Sequence, residues 1–154
     1  MIPKSATVVR PVLLAVLAGA FLLPGAVGAA TYKSVDGSKV NLRAGPGTDH
    51  PKRFVVSRGY PLRVLETRDG WAKVEDYAGD VAWVAERLLS DQRTVMVIKD
   101  LVNVREGPAT DQPVVFRAKR NVLFRLLGQE GKWVHVRHAD GDEGWIYAPL
   151  VWGD

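Results

Sequence analysis

The chain has 154 residues, with 21 Lys and Arg against 17 Asp and Glu, and it contains no cysteine. The lack of cysteine excludes structural disulfides, thiolate metal sites, a lipidated cysteine anchor and cysteine-peptidase chemistry. A net charge of +4 does not indicate a nucleic-acid partner, because two of the positive charges, Lys4 and Arg10, lie in an N-terminal segment that we expect to be removed.

Residues 1–30 have the pattern of a secretory signal peptide. Two positive charges precede the apolar run PVLLAVLAGAFLLP, and GAVGAA then supplies small residues. Pro24 interrupts the helix near its end, so we expect cleavage after Ala29 or Ala30. An uncleaved anchor is the alternative, since residues 11–30 are just long enough to span a bilayer. Both interpretations predict an exported protein, periplasmic or extracellular, with membrane contact only if this segment is retained.

The rest of the chain consists of two similar copies that are offset by 62 residues. The stretch VNLRAGPGTDHP at 40–51 returns as VNVREGPATDQP at 102–113, and the ungapped comparison of the two copies gives 18 identities in 50 positions. A period near 60 residues is too long for a solenoid repeat and fits a small independent domain. We therefore predict one domain at 31–90 and another at 91–154, joined by a short linker.

Each copy carries β-strand patterns and no convincing helical period. In the first copy YPLRVLE, WAKVEDY and DVAWVAE are short strand-like segments separated by the turn signals RDG and AGD. The sequence GPG at 45–47 ends the strand VNLR, because proline donates no hydrogen bond and glycine permits unusual backbone angles. TVMVI begins the second copy, and AERLL and APLV each predict a closing 3₁₀ turn. About five short strands per copy predict a small all-β barrel.

This order of motifs resembles the bacterial SH3-like domain family. The resemblance rests on the two VN-x-R-x-GP stretches, on GWAKV and GDVAWV in the first copy, and on KWVHV and GDEGWIY in the second. The first copy departs at Ala82, where the family usually has glycine. The resemblance implies an exported binding module without catalysis, with cell-wall peptidoglycan or its peptide stems as the ligand class. The alternative is a periplasmic protein–protein scaffold or an accessory partner of a wall hydrolase.

No arrangement for catalysis or metal binding is evident in the sequence. His50 falls in a loop, and His135 and His138 are three apart on a predicted strand, so they are expected on opposite faces. No serine stands in a strand–turn–helix elbow, and no carboxylate pair has a general acid–base context. We therefore predict a protein that is not an enzyme and that uses no cofactor or metal ion.

Aromatic residues form the first set of candidate ligand contacts. Strand alternation places the small and aliphatic residues of each copy inward and leaves a polar-flanked aromatic face outside. Burial beneath loops is the alternative for these rings, because a tiny barrel can use tryptophan to cover its outer face. The candidates are Trp71, Trp83, Trp133, His135, Trp145 and Tyr147.

Paired polar residues form the second set of candidates. Arg43 and Arg105 end matching strands, and Asp49 and Asp111 follow six residues later. They predict either a loop-closing ion pair or Asx turn, or a polar rim for a ligand. Basic residues that recur after each loop are expected to form a solvated face, with an anionic partner as the minority interpretation. These are Lys52, Arg53, Arg58, Arg63, Arg117, Lys119, Arg120 and Arg125.

The second copy is expected to carry more of the binding than the first. Gly144 is predicted to leave open backbone beside Trp145, and Tyr147 adds a ring where the first copy has Ala85. We therefore expect Trp145→Ala or Tyr147→Ala to weaken binding more than Trp83→Ala does.

Overall fold

The computed structural model describes residues 29–154, which form β-strands and two short 3₁₀ turns. The first seven strands are β1 (Thr31–Val35), β2 (Val40–Arg43), β3 (Lys52–Val56), β4 (Pro61–Arg68), β5 (Trp71–Glu75), β6 (Val81–Ala85) and β7 (Leu89–Ser90). The next seven are β8 (Thr94–Val97), β9 (Leu101–Arg105), β10 (Val114–Lys119), β11 (Leu123–Glu130), β12 (Trp133–Arg137), β13 (Glu143–Tyr147) and β14 (Val151–Trp152). The predicted all-β tandem architecture is confirmed.

The 3₁₀ turns lie at Glu86–Leu88 and Ala148–Leu150, where the sequence predicts them. Nearly all of the predicted signal peptide lies outside the described residues. Within residues 29–154, no helix has the length and apolar character needed to cross a membrane.

The two halves form two separate sheets with the same strand order. The order is β3-β2-β6-β5-β4-β1-β7 in the first and β10-β9-β13-β12-β11-β8-β14 in the second. Each sheet has seven strands where the sequence predicts about five, because β1 and the two-residue β7 pair with each other beside β4. Segments as short as Leu89–Ser90 show no alternation from which a strand could be predicted.

Tight turns and matching bulges shape both sheets. Asp69 and Gly70 have φ values of 52° and 80°, the left-handed conformation of a two-residue hairpin turn. The pairing of β4 with β5 shifts register between Val64 and Glu66, and the pairing of β11 with β12 shifts at the equivalent Leu126 and Gly128. Such bulges bend a strand and help the sheet curl over its own apolar face.

Each sheet encloses its own apolar core. Leu62 in the first core and Phe124 in the second occupy matching positions and are almost completely buried. The first core also holds Val35, Val40, Leu42, Ala72, Val74, Ala82 and Val84. The second also holds Val95, Val97, Val102, Val104, Ala118, Val134, Val136, Ile146, Ala148 and Val151.

The two domains are in direct contact at a short junction. Residues 91–93 separate β7 from β8. The Thr94 hydroxyl donates a hydrogen bond of 2.7 Å to the Gly59 carbonyl, and the Ser34 hydroxyl donates one of 2.6 Å to the Gln92 carbonyl. Both serve buried polar groups that would otherwise destabilise the fold, so they favour a fixed arrangement of the two domains.

Candidate functional site

The first domain has a groove between β2, the loop that follows it, β5 and the first 3₁₀ turn. We call it groove one, and its volume is about 750 Å³. Trp71 and Val40 provide apolar surface, while exposed charged side chains stand at the rim. The lining residues are Gly37, Ser38, Lys39, Val40, Asn41, Arg43, Thr48, Gly70, Trp71, Ala85, Glu86, Arg87 and Leu88.

The second domain has an equivalent and smaller groove, which we call groove two. Its volume is about 260 Å³. Its lining residues are Leu101, Val102, Asn103, Arg105, Thr110, Trp133, Tyr147 and Leu150. Each of these lies 62 positions after a residue that lines groove one. The internal repeat has therefore placed the same groove in both domains.

Arg43 and Arg105 hold the loops that form one wall of each groove. Arg43 Nη1 donates to the carbonyls of Thr48 at 3.0 Å and His50 at 2.9 Å, and Arg105 Nη1 donates to the Gln112 carbonyl at 2.9 Å. The arginines therefore close the loops, as predicted, but they do so by hydrogen bonds to backbone carbonyls.

The predicted ion pair between each arginine and its loop aspartate is wrong. Asp49 and Asp111 are exposed, and within the described residues neither carboxylate is paired with the arginine of its own copy. Each aspartate follows an exposed threonine that lines a groove, Thr48 or Thr110, but neither aspartate lines a groove itself.

The aromatic candidates belong to two separate sheets, and those of each sheet lie on one face of it. In the second domain Trp133 and Tyr147 lie 5.6 Å apart, measured between ring centroids, and His135 stacks on Trp145 at 4.8 Å. Trp71 lines groove one. The structure therefore puts Trp71, Trp133 and Tyr147 in the two equivalent grooves, whereas His135 and Trp145 line a separate depression of about 550 Å³ in the second domain.

Trp83 is not an exposed ligand contact. It is 7% exposed and is covered by Lys73 and Arg68, whose charged groups lie 6.0 Å and 5.0 Å from the ring centroid. Strand alternation correctly predicts the face of the sheet on which Trp83 lies. It does not predict that side chains from other strands cover the ring. Lys73 faces Trp83 directly in the β5–β6 register, which sequence alternation does not reveal.

The prediction that Gly144 leaves open backbone beside Trp145 is wrong. Gly144 is buried against β9, and a Cβ atom there would lie 2.5 Å from Val104 Cγ1 and 2.8 Å from the Arg105 carbonyl oxygen. Glycine is needed at this position because the neighbouring strand approaches too closely for any side chain. Gly144 therefore allows β13 and β9 to pack closely together.

The three histidines have different partners. His50 lies in the loop of groove one's wall, and His135 lies 3.3 Å from the Glu143 carboxylate. His138 follows β12, packs against Phe124 and contacts Asp140, whose pKa is lowered by hydrogen bonds from the Asp142 backbone and from His138. Within residues 29–154, no three histidine or acidic side chains cluster as a metal site would require.

Most of the recurring basic residues have partners within their own domain. Arg58 pairs with Asp36, Arg63 with Glu75, and Arg120 with Asp100. Arg53 donates to the Val81 carbonyl, and Arg117 to the Asn103 side chain. These contacts reduce the positive charge available to a partner, as expected for a solvated face.

Sequence reasoning missed several groove residues. Asn41 and Thr48 are identical in both copies, as Asn103 and Thr110, so the internal repeat carried a signal that they share a role. Glu86 and Arg87 are replaced by Ala148 and Pro149 in the second copy, and nothing in their local sequence points to a groove. Other missed residues at the first rim are Ser38 and Lys39.

Comparison with protein families agrees with the duplicated fold. Residues 38–90 and residues 98–153 each match a family described as bacterial SH3 domain. Together the two matches cover most of the chain. The chain therefore belongs to the bacterial SH3 domain family and carries the domain twice.

Curated relatives are longer proteins whose names describe amidases. The chain is 25% identical over 135 residues to the putative N-acetylmuramoyl-L-alanine amidase YrvJ of Bacillus subtilis, covering 77% of this chain and 26% of the relative. It is 32% identical over 60 residues to the probable cell wall amidase LytH of Staphylococcus epidermidis, covering 38% of this chain and 21% of the relative. The chain thus spans about a quarter of the length of these relatives.

Similarity to solved structures is lower. An NlpC/P60 family protein from Bacillus cereus has 14% sequence identity and a TM-score of 0.37, covering 79% of this chain and 55% of that one. NlpC1 from Trichomonas vaginalis has 13% identity and a TM-score of 0.37, covering 81% of this chain and 46% of that one.

Proposed function

We propose that this protein binds the bacterial cell wall without catalysis, and that it holds a peptide stem of peptidoglycan in groove one. The proposal includes export, which the N-terminal sequence pattern supports. The observation that carries it is groove one itself, an open depression of about 750 Å³ with a tryptophan wall and a charged rim. Concave sites of this size with a few convergent polar groups are the usual form of a ligand site.

The side chains of groove one suit a short polar peptide. Lys39 and Arg87 can pair with carboxylates, Glu86 can pair with an amine, and the Asn41 amide can both donate and accept hydrogen bonds. Trp71 supplies flat apolar surface for an alanyl side chain or a sugar ring. Peptide stems combine these groups, because they are short peptides with free carboxylates and amines attached to a glycan.

Binding without catalysis is supported by the composition of the groove. Among its lining residues Glu86 is the one carboxylate, and none is histidine or cysteine. Arg43 is already engaged by the loop carbonyls. General acid–base hydrolysis usually needs two positioned titratable groups at the scissile bond, and groove one offers one exposed glutamate.

The relatives support a role at the wall. Their names describe wall amidases, and the similarity falls mainly on the SH3 region of this chain. This chain covers about a quarter of each relative, which is a size that suits a binding module. Such a module can act without the remainder of those proteins.

Cosedimentation with purified sacculi tests the proposal. Arg87→Ala should weaken binding by about three- to tenfold, which corresponds to about 1 kcal/mol. Lys52→Ala is the matched control, because it also removes one exposed positive charge from the first domain but lies outside groove one. Muropeptide release by the protein during the incubation would contradict binding without catalysis, and equal effects of both variants would contradict groove one as the site.

A protein partner is the second candidate, and apolar exposure on the second domain favours it. Val114 and Val115 are 41% and 53% exposed and line a depression with Trp145, and the first domain has Lys52 and Arg53 at the matching positions. Exposed apolar groups of this kind are common at protein interfaces. Retention of an envelope protein by the wild type that is lost in Val115→Lys, with sacculus binding unchanged, would support this function.

A further inference from the structure

We propose that the residue at the end of the sixth strand of each domain sets the width of its groove, so that Tyr147 narrows groove two while Ala85 leaves groove one wide. This inference rests on the proposed function only for the nature of the ligand. It assigns the polar peptide ligand to the first domain and makes position 85, with its equivalent 147, the determinant of specificity.

The geometry is a cross-strand pair that occurs in both domains. Trp71 faces Ala85 in the β5–β6 register, and Trp133 faces Tyr147 in the β12–β13 register. Directly opposed residues on one face of an antiparallel pair have Cβ atoms about 4.5–5.5 Å apart, so a large side chain at one position covers the other. Tyr147 does this, since its ring centroid lies 5.6 Å from that of Trp133.

Groove two, which has the large Tyr147 opposite its tryptophan, is smaller than groove one, which has the small Ala85 there. Groove two has about 260 Å³ against about 750 Å³ for groove one, although both keep the same asparagine, arginine, threonine and tryptophan. The equivalents of Gly70, Glu86 and Arg87 line a separate depression of about 370 Å³ together with Tyr147, so the surface that is continuous in groove one is divided at Tyr147 in the second domain. The rim has changed as well, because Leu101 replaces Lys39, and Ala148 and Pro149 replace Glu86 and Arg87. Groove two is therefore smaller than groove one and lacks the charged groups that would recognise a polar peptide.

The number of aromatic rings is a poor guide to which domain binds. The second domain has one more ring in its groove, but Trp133 and Tyr147 contact each other, and their facing surfaces are unavailable to a ligand. Trp71 faces the small side chain of Ala85 and lines groove one. The structure thus favours the first domain, whereas the sequence favours the second.

Reciprocal variants test this inference in two ways. Acrylamide quenching of tryptophan fluorescence measures groove narrowing without any ligand. Tyr147→Ala should raise quenching, and this rise should vanish in a Trp133→Phe background, while Ala85→Tyr should lower quenching through Trp71. Tyr77→Ala and Ala78→Tyr are the controls, since both residues are exposed in the β5–β6 turn outside both grooves. Unchanged quenching in Tyr147→Ala would overturn the inference.

Cosedimentation with sacculi is the second measurement. Ala85→Tyr should lower the affinity by about tenfold, and Tyr147→Ala should leave it unchanged or raise it. Loss of binding in Tyr147→Ala with full binding in Ala85→Tyr would overturn the inference, provided that circular dichroism shows both variants folded. If the wild type does not bind sacculi, the proposed function fails, and quenching still decides whether Tyr147 narrows groove two and covers Trp133.

Discussion

Arg63 of the first domain lies over the indole of Trp152 in the last strand of the second, with its guanidinium carbon 5.9 Å from a ring centroid. Trp152 in turn meets Tyr32 edge-on at 5.4 Å, and Arg93 of the linker covers Tyr32 at 5.3 Å. The contacts thus run from Arg93 of the linker to Tyr32 of the first domain, then to Trp152 of the second domain and back to Arg63 of the first. This Arg–aromatic cluster connects the two domains.

Removal of Trp152 should uncouple the two domains. Trp152→Ala loses the contacts with both Tyr32 and Arg63, and we expect the free energy of unfolding to fall by about 1–3 kcal/mol. Differential scanning calorimetry should then resolve two transitions where the wild type shows more cooperative unfolding. Leu127→Ala, an exposed change in the same domain, should leave the transition intact. An unaltered calorimetric profile for Trp152→Ala would show that the cluster does not couple the domains.

The sequence predicts the fold well because the same pattern of strands and turns occurs in both copies. The strands, the RDG turn and both 3₁₀ turns follow from local alternation and turn chemistry, which do not depend on distant contacts. The grooves depend on which residues face each other across strands, as Trp71 faces Ala85. That register is set by bulges whose positions leave no clear mark in a single sequence, so the groove residues were only partly found.

Gly144→Ala should destabilise the second domain. The new methyl group would lie 2.8 Å from the Arg105 carbonyl, which belongs to a paired strand and cannot move cheaply. We expect a loss of about 1–3 kcal/mol, as for other overpacked sites. The reverse change in the first domain, Ala82→Gly, should cost only about 0.5–1 kcal/mol. Urea unfolding measures both, and equal losses would show that the β9–β13 approach adjusts freely.

Trp83 and Trp145 should respond differently to alanine. Trp83 is 7% exposed beneath two basic side chains, so Trp83→Ala should cost about 3–5 kcal/mol. Trp145 is partly exposed and stacks on His135, so Trp145→Ala should cost about 1 kcal/mol. Thermal unfolding by circular dichroism checks the order. Weak sacculus binding by Trp83→Ala would therefore reflect partial unfolding, unless its melting temperature matches that of the wild type.

Arg43→Ala should loosen the loop at 44–51 more than Arg105→Ala loosens its counterpart. Arg43 donates to two loop carbonyls and Arg105 to one, so we expect losses of about 2 and about 1 kcal/mol. Hydrogen exchange at the Ala44 and Glu106 amides reports each loop neck, since these amides bond to Pro51 and Pro113. Equal exchange in the two variants would mean that the second carbonyl contact contributes nothing.

Tyr60 should make the protein less stable at alkaline pH. Burial, followed by the nearby negative charges of Asp76 and Asp80, raises its pKa to about 12. An unfolded tyrosine titrates near 10, so between pH 10 and 12 the unfolded chain loses this proton while the folded chain keeps it. The contribution is complete below pH 10 and falls as pH rises towards 12. Tyr60→Phe should therefore lose less stability across that interval than the wild type, as measured by urea unfolding at each pH. The difference in phenolate absorbance between the two proteins gives the Tyr60 pKa directly, and a value near 10 would remove the cause of the predicted alkaline loss.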